Sequence, residues 1–577
     1  MQLRRASQPD PQRVWLLATC VYAVGALALT WPLPLRLFSQ LPLGSLNDPV
    51  VPFFNLWTLE WNADRFSHAY AQYWDAPLFY PTADSFALSE PQGLTGLLFV
   101  PLHWLLGSVA AYNLTLELLL VLNALAARRL LRVSGVSSAA STLAGLLVLG
   151  LPFVQRELGV LQLCALSPVL FGLAELSRLL ADSDPWALLR LGLCLAAAVW
   201  SCVYHALFFA TLLVPAGFLL VWRELRDLRC QKLLAAGIAS LALLVLLCGP
   251  VLLAQRRAVS GFTRSAESIH VGSASALAYL EPPAHSALGL LLPSWTRSER
   301  RRTLYPGALV LGLAVLGLRH SRRTAHPHFG AYCLVALVMA LLLSFGTRLR
   351  LGTFCPYELL VQHTMPGFAQ LRSPYRAGVY VQLLLVLFAG FGLDALAERR
   401  WRVNQALPGV LPALCVVLAL LEFLPGAQRL RRFPHEAVHE PFVAWLARHP
   451  GGAVAMVPPV SGSKVAAYES TVVGMLQALR HGHPIVNGYS GFFPPESDRV
   501  VVQLRRFPAA GCLRVLRRHA VHYVVVDKRW AREHASVLQP ILAATAFDSA
   551  RYSVFQLDDP APSPMPTPAA VTEPFVR

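Results

Sequence analysis

Three groups of residues in this sequence have the types and spacing to do chemistry. The first is acidic. Leu46-Asn47-Asp48-Pro49 is followed by the aromatic stretch Phe53, Phe54, Trp57 and Trp61, and a proline at 49 keeps Asp48 in a turn rather than a helix interior. A carboxylate so placed either caps the helix that follows or can take a proton from a hydroxyl. A second acid, Glu157, clusters with Arg156 and Gln162 in a short turn. It either pairs with Arg156, an exposed contact worth about 0–1 kcal/mol, or belongs to a site. Glu60, Asp64, Asp75, Asp84 and Glu90 are further acids after Asp48, and Glu90 is the one placed to face a cavity.

The second group is cationic. Arg256, Arg257, Arg264, Arg297, Arg300, Arg301 and Arg302 flank one polar loop, and Arg348, Arg350, Arg372 and Arg376 mark another. Any one of them could touch a lipid headgroup or an acid. As a set they suit phosphate, because guanidinium is a planar, permanent cation. The third group is Tyr468, His481, His483, Asn487, Tyr489, Phe492 and Phe493. Aromatic faces beside amides can cover the C–H faces of a sugar and bond its hydroxyls. Gly488-Tyr489-Ser490-Gly491 reads equally as a structural turn. His481 and His483 lack a third ligand, so no metal is expected there.

The chain that must position these groups is mostly apolar. Of 577 residues, 55% are hydrophobic and 14% charged, and the mean hydropathy is +0.49. Soluble domains run about 45–50% apolar and about 25% charged, so the composition argues for a polytopic α-helical membrane protein. The 49 Lys and Arg against 32 Asp and Glu give a net charge of +17. In a membrane protein that excess marks the cytoplasmic side, and a nucleic-acid partner is not expected. The ten cysteines form no CxxC pair, and most lie in apolar runs. Neither a zinc site nor a disulfide framework is expected, and Cys355 and Cys512 read as the accessible thiols.

The run from Val14 to about Pro34 follows Arg4, Arg5 and Arg13 without a small-residue cleavage site, which predicts a retained first helix with a cytoplasmic start. Gly93 to Gly107 contains Pro101, His103 and Trp104. It is short of the roughly 20 residues of a span and reads as an interfacial helix, which puts Arg128, Arg129 and Arg132 inside. Further spans are expected near 109–130, 138–155, 160–180, 186–202, 203–222, 233–254, 304–318, 330–345, 375–396 and 405–425, about 11 helices in all. The connections Arg223–Lys232, Arg319–Arg323 and Arg399–Arg402 then fall on the cytoplasmic side. Expected outside are loops 35–108, 255–303 and 346–374. The expected domains are a transmembrane domain, 1–427, and a small extracytoplasmic α/β domain, 428–559, with strand-like runs Ala453–Val457, Tyr523–Val526 and Tyr552–Leu557. Residues 560–577 read as a disordered tail.

Over about residues 10–180 the order of elements is a first helix, an acidic turn, an amphipathic loop, and a short helix with Leu98-Phe99-Val100-Pro101-Leu102-His103-Trp104-Leu105-Leu106-Gly107. A span ending Arg128-Arg129-Leu130-Leu131-Arg132 and a small-residue-rich span follow. This order resembles the GT-C superfamily of membrane glycosyltransferases, which includes the protein O-mannosyltransferases and the lipid A aminoarabinose transferase. Asn47-Asp48-Pro49, Phe79-Tyr80-Pro81, Ser89-Glu90, the segment Pro366 to Arg376 and Asn487-Gly488-Tyr489-Ser490-Gly491-Phe492-Phe493-Pro494-Pro495 resemble a largely uncharacterised bacterial branch of it.

The resemblance implies that Asp48 serves as, or helps position, the base at an acceptor, that Glu157 is a second catalytic acid, and that one displacement inverts the anomeric centre. Asn47 and Pro49 replace the paired acidic motif of several GT-C families. A donor available outside the cytoplasm is a sugar on a polyprenyl phosphate, whose phosphate Arg372, Arg376, Arg256 and Arg257 would bind. Glu90, Gln162, Asn487 and Tyr489 would contact the sugar or a glycan, lipid or protein acceptor. Some GT-C members use a divalent metal and others do not, so the cofactor stays open and no metal ligand is assigned. The implied location is a bacterial cytoplasmic membrane, with the C-terminal domain outside. Two other readings stand beside this one: a transporter or flippase of lipid-linked saccharide, although paired broken helices are not evident, and a catalytically inactive GT-C scaffold.

Overall fold

The computed structural model describes residues 11–44, 48–224, 230–283, 286, 288–289, 304–324, 327–350, 352–362, 364–398, 407–423, 426–462, 464–538 and 544–557. Leu46, Asn47, Arg297, Arg300, Arg301, Arg302, the Arg399–Arg402 connection and the tail 560–577 lie outside them. The chain forms two compact units. The first is Met1–Asn47, Gln92–Pro250 and Gly261–Arg431; the second is Asp48–Pro91, Val251–Ser260 and Arg432–Arg577.

Among the described residues, eight helices are long and apolar enough to cross a membrane: Gln12–Leu29, Ser108–Val133, Ser138–Arg156, Leu161–Asp182, Val203–Leu220, Gln231–Ala258, His328–Arg348 and Pro374–Glu398. The chain is therefore a multi-pass, mainly helical integral membrane protein. The three other expected spans are the helices Pro185–Ser201, Ala308–Thr324 and Leu407–Phe423, each of 17 residues. That is the lower end of the length a bilayer core requires, about 17–25 residues. Gly93–Leu106 is a 14-residue helix with Pro101 inside it.

Burial sorts the spans by position in the bundle. Leu161–Asp182 is 89% buried and central, whereas Gln231–Ala258 is 17% buried and offers most of its surface to lipid. Some acids inside the bundle find partners there, which a low-dielectric interior favours. Glu117 accepts the Thr30 hydroxyl at 2.6 Å. Glu422 accepts the backbone N–H of Ala308 at 2.7 Å and of Leu309 at 3.2 Å, so one short helix caps the start of another.

The second unit is built on a four-stranded mixed sheet. Ala453–Val457 runs parallel to Val521–Asp527, which pairs antiparallel with Tyr552–Gln556, and that strand pairs antiparallel with Thr545–Asp548. The three expected strand-like runs are thus strands, and Thr545–Asp548 completes the sheet. Val524, Val525 and Val526 are all buried in the central strand, which explains a continuous apolar run rather than alternation. The helix Val50–Ser67 packs on the helix Glu469–His481, and Glu60 meets Arg480 at 3.3 Å.

The two thiols expected to be accessible are covered, with Cys355 at 4% and Cys512 at 1% exposure, while Cys20 is exposed. Cys512 lies on the inward face of the helix Ala510–Arg518 and joins the sheet core. The arginines on the other face of that helix hide this from a reading of local polarity. Cys355 lies in a stretch read as an open loop that instead folds through short helical turns at Gly346–Arg348, Glu358–Gln362 and Phe368–Gln370.

Candidate functional site

In the first unit the site begins at the turn after the helix Pro152–Arg156. That helix starts at a proline, which needs no N–H partner, and its Phe153 N–H donates to Gln382 Oε1 at 3.1 Å. The helix stops at Glu157, whose carboxylate is fully buried. Tyr375 Oη donates to Glu157 Oε1 at 2.8 Å, and Arg156 Nε lies 3.2 Å from the same oxygen. The Arg156 guanidinium also covers the Tyr375 ring at 5.2 Å. Glu157 Oε2 is buried with no hydrogen-bond partner among the described residues. The Arg156 pairing weighed from sequence is present, but inside the protein, where loss of either member costs far more than at a surface.

Close backbone packing fixes this turn. Gly44 has φ +60°, and a Cβ there would lie 2.3 Å from Arg156 O. A Cβ at Gly159 would lie 2.6 Å from Leu43 O. Only glycines allow the two segments to touch. The chain leaves this contact four residues before Asp48.

Tyr375 joins Glu157 to the arginines. Its N–H donates to Gly272 O at 3.0 Å, and a Cβ at Gly272 would be 1.9 Å from Arg372 O. Thr347 N–H donates to Ser273 Oγ at 3.2 Å. The segment 372–376 is thereby held against residues 272–273. Half-buried Arg376 lies 4.3 Å over the Tyr204 ring. Exposed Arg372 donates its backbone N–H to Tyr204 Oη at 3.3 Å. Arg264 Nε donates to Gln370 O at 3.3 Å. Burial draws Arg264 below its ordinary pKa, opposed by Tyr204 and reinforced to a smaller extent by the nearby Arg372 charge. The structure therefore brings Glu157, Arg372 and Arg376 into one neighbourhood, with Arg264. Gln162 lies in the same unit, half-buried, its Oε1 without a hydrogen-bond donor among the described residues.

Tyr204 and Tyr375 are the members that the sequence reading did not assign. Tyr204 follows a break between the helices Pro185–Ser201 and Val203–Glu224. The signal available was two expected spans meeting at 202 and 203 with no loop between them.

The other predicted residues belong to the second unit. Asp48, partly exposed, accepts the Val50 N–H on Oδ1 at 3.0 Å and so caps the helix Val50–Ser67. Its second oxygen makes no hydrogen bond among the described residues. Arg256 and Arg257 are exposed at the end of the helix Cys230–Ala258, and Arg257 Nε lies 3.1 Å from Asp84. Glu90 is half-buried. Asn487 binds Met456 twice, accepting its N–H at 2.8 Å and donating to its carbonyl at 3.0 Å, so half its hydrogen-bonding capacity is used by the scaffold.

Motifs far apart in sequence meet here. Phe79 N–H donates to Asn487 O at 3.4 Å, and Tyr80 N–H to Ile485 O at 3.0 Å. Tyr489 contacts Phe54, Tyr468 and Phe493 at ring distances of 5.4, 5.3 and 6.2 Å. A small cleft is lined by Phe79, Tyr468, Asn487, Phe493, Ser497 and Asp498. His483 has Nδ1 2.8 Å from Gly451 O and Nε2 3.0 Å from Leu446 O, so both ring nitrogens face backbone.

At Glu157 the Arg156 guanidinium supplies the positive charge beside one carboxylate oxygen. Among the described residues, His320, Asp394 and Glu398 are grouped closely enough to share an ion. There Asp394 accepts the Ser137 N–H at 3.2 Å, and His320 lies 3.6 Å from Glu398.

No protein-family model matches the chain, and no curated protein is similar to it in sequence. Similarity appears at the level of fold. The arabinofuranosyltransferase AftD from Mycobacteria aligns with a TM-score of 0.51 and 16% identity, over 90% of this chain and 37% of that one. The chain thus spans little more than a third of AftD's length. ArnT from Cupriavidus metallidurans bound to undecaprenyl phosphate aligns with a TM-score of 0.47 and 13% identity, covering 96% and 100% of the two chains. An oligosaccharyltransferase from Archaeoglobus fulgidus aligns at 0.40 and 11%, covering 89% and 69%. The GT-C resemblance read from the sequence is matched by a GT-C fold.

Proposed function

We propose that the chain is an integral-membrane glycosyltransferase that moves a sugar from a polyprenyl-phosphate donor to a glycan, lipid or protein acceptor, with inversion. The observation that carries this reading is the grouping of Arg264, Arg372 and Arg376 about Tyr204, adjoining the buried Glu157–Tyr375–Arg156 set. The fold shared with an arabinofuranosyltransferase supports sugar transfer as the chemistry for such a cationic neighbourhood. The proposed setting is a bacterial cytoplasmic membrane with the N-terminus in the cytoplasm and the C-terminal domain outside. The three 17-residue helices count as spans, giving about 11.

In the proposed reaction the acceptor hydroxyl gives its proton to a carboxylate as its oxygen bonds to the anomeric carbon. The bond from that carbon to the phosphate oxygen breaks, and its electron pair leaves with the lipid phosphate. Asp48 is the proposed base, through the oxygen not engaged in capping Val50. Arg372 and Arg376 stabilise the charge that grows on the leaving phosphate, and Arg256 and Arg257 are additional phosphate contacts in this reading. Glu157 is the proposed second acid, holding Tyr375 and with it the adjoining Arg376. Glu90, Gln162 and Tyr489 would contact sugar or acceptor, with Asn487 shaping the wall beside them.

The test is sugar release from a panel of radiolabelled polyprenyl-phosphate sugars by the full chain in lipid. Asp48→Asn should lower turnover by about 100-fold or more, the scale of a lost general base. Arg376→Gln should weaken donor use while leaving the fold intact. Unchanged turnover in Asp48→Asn removes that residue from the chemistry. Donor binding or translocation without cleavage replaces the enzyme by a transporter.

A further inference from the structure

The helical hairpin Pro495–Leu504 and Ala510–Arg518 takes part in none of the chemistry above. Residues 495–519 carry six arginines, at 499, 505, 506, 514, 517 and 518, against two acids, Glu496 and Asp498. The hairpin is sharply two-faced. Val500, Leu504, Phe507, Cys512 and Leu516 enter the sheet core, while Arg499, Arg505, Arg506, Arg514 and Arg518 are exposed. Those five form no ion pair among the described residues. Val502 stands in the same outward stripe at 44% exposure. Like charges crowded on one face repel one another, and a bound anionic surface relieves that repulsion.

Position within the unit indicates which surface. A side chain at Gly491, just before the hairpin, would touch Leu88 O at 3.1 Å. The next residue, Ser89, accepts on its carbonyl from Gln255 Nε2 at 3.2 Å. Gln255 lies in the last turn of the spanning helix Gln231–Ala258. The chain thus enters the hairpin beside the end of a membrane span.

We propose that this hairpin docks on the anionic phospholipid headgroups of the leaflet at that helix end, with the arginines on phosphates and Val502 at the acyl boundary. A soluble polyanion would need the arginines alone. Proximity to a span terminus and an apolar residue within the cationic stripe both favour lipid.

The experiment is hydrogen–deuterium exchange of peptides within 495–519, using the full chain in nanodiscs of phosphatidylcholine with or without phosphatidylglycerol. Phosphatidylglycerol should slow exchange in the hairpin by about tenfold or more, and added salt should reverse the effect. Arg505→Gln, Arg506→Gln, Arg514→Gln and Arg518→Gln together should abolish it, whereas lysine at the same four positions should retain it. Unchanged exchange of the strand Val521–Asp527 reports that each variant is folded. Equal hairpin exchange in the two lipids, or a phosphatidylglycerol effect in wild type that salt does not weaken, overturns the proposal. Slowing by dextran sulfate in neutral nanodiscs without any phosphatidylglycerol effect overturns it in favour of a soluble polyanion.

Discussion

Glu157 and His481 are buried residues with contrasting neighbours. Glu157 has a guanidinium at 3.2 Å and a phenol at 2.8 Å from one carboxylate oxygen. Glu157→Gln removes the anion from a buried pair, and its expected cost is about 3–5 kcal/mol. Tyr375→Phe deletes one hydrogen bond and should cost about 1–3 kcal/mol. Thermal unfolding of the two variants in the same lipid checks that order. His481 is held neutral instead: burial first, and then the nearby His483, bring its pKa down to about 3. The unfolded chain protonates this histidine below about pH 6.5, so the stability it contributes is complete above that pH. It is lost as pH falls toward 3, at up to about 1.4 kcal/mol per pH unit. His481→Asn keeps an acceptor for the His483 N–H but cannot titrate. Unfolding of the second unit followed between pH 7 and 4 should show a flatter slope in that variant.

At the scale of elements, short backbone contacts decide where the functional segments lie. Gly272→Ala would place a methyl carbon 1.9 Å from Arg372 O, which is backbone and cannot rotate away. The 372–376 segment must shift, at about 1–3 kcal/mol of overpacking. The expected outcome is weaker donor binding, read by titration of a polyprenyl phosphate, with the helical content unchanged. Asn487→Ala tests the other unit. It removes both hydrogen bonds to Met456 and should destabilise the sheet domain by about 1–3 kcal/mol. Faster amide exchange in Ala453–Val457 than in Tyr552–Gln556 would locate the loss at that strand.

For the whole molecule, topology is the property that the proposed reaction depends on most. With a cytoplasmic N-terminus and about 11 spans the chain ends outside. Alkaline phosphatase fused after Leu557 should be active and green fluorescent protein at the same point dark. The reverse result would require one of the 17-residue helices Pro185–Ser201, Ala308–Thr324 or Leu407–Phe423 not to cross, or the 14-residue helix Gly93–Leu106 to do so. Cysteine labelling on either side of each helix would identify which.

Composition and run length were sufficient for the membrane class, because repeated apolar runs of about 20 residues in a chain only 14% charged are long enough to cross a bilayer core. They also located most of the spanning helices and three of the four strands of the C-terminal sheet, since apolar length and local β-propensity act over neighbouring residues. The resemblance in Asn47–Pro49, Phe79–Pro81 and Asn487–Pro495 pointed to the fold, and the strand-like apolar runs at Ala453 and Tyr523 to a sheet. What sequence did not contain was the burial of Glu157, the partnership of Tyr204 with Arg372 and Arg376, the meeting of Phe79 with Asn487, or the covering of Cys512. Each depends on segments tens to hundreds of residues apart being pressed together by the helix bundle or the sheet. A contact of that kind has no period or spacing in the chain, and its energy exists only once both partners have left water.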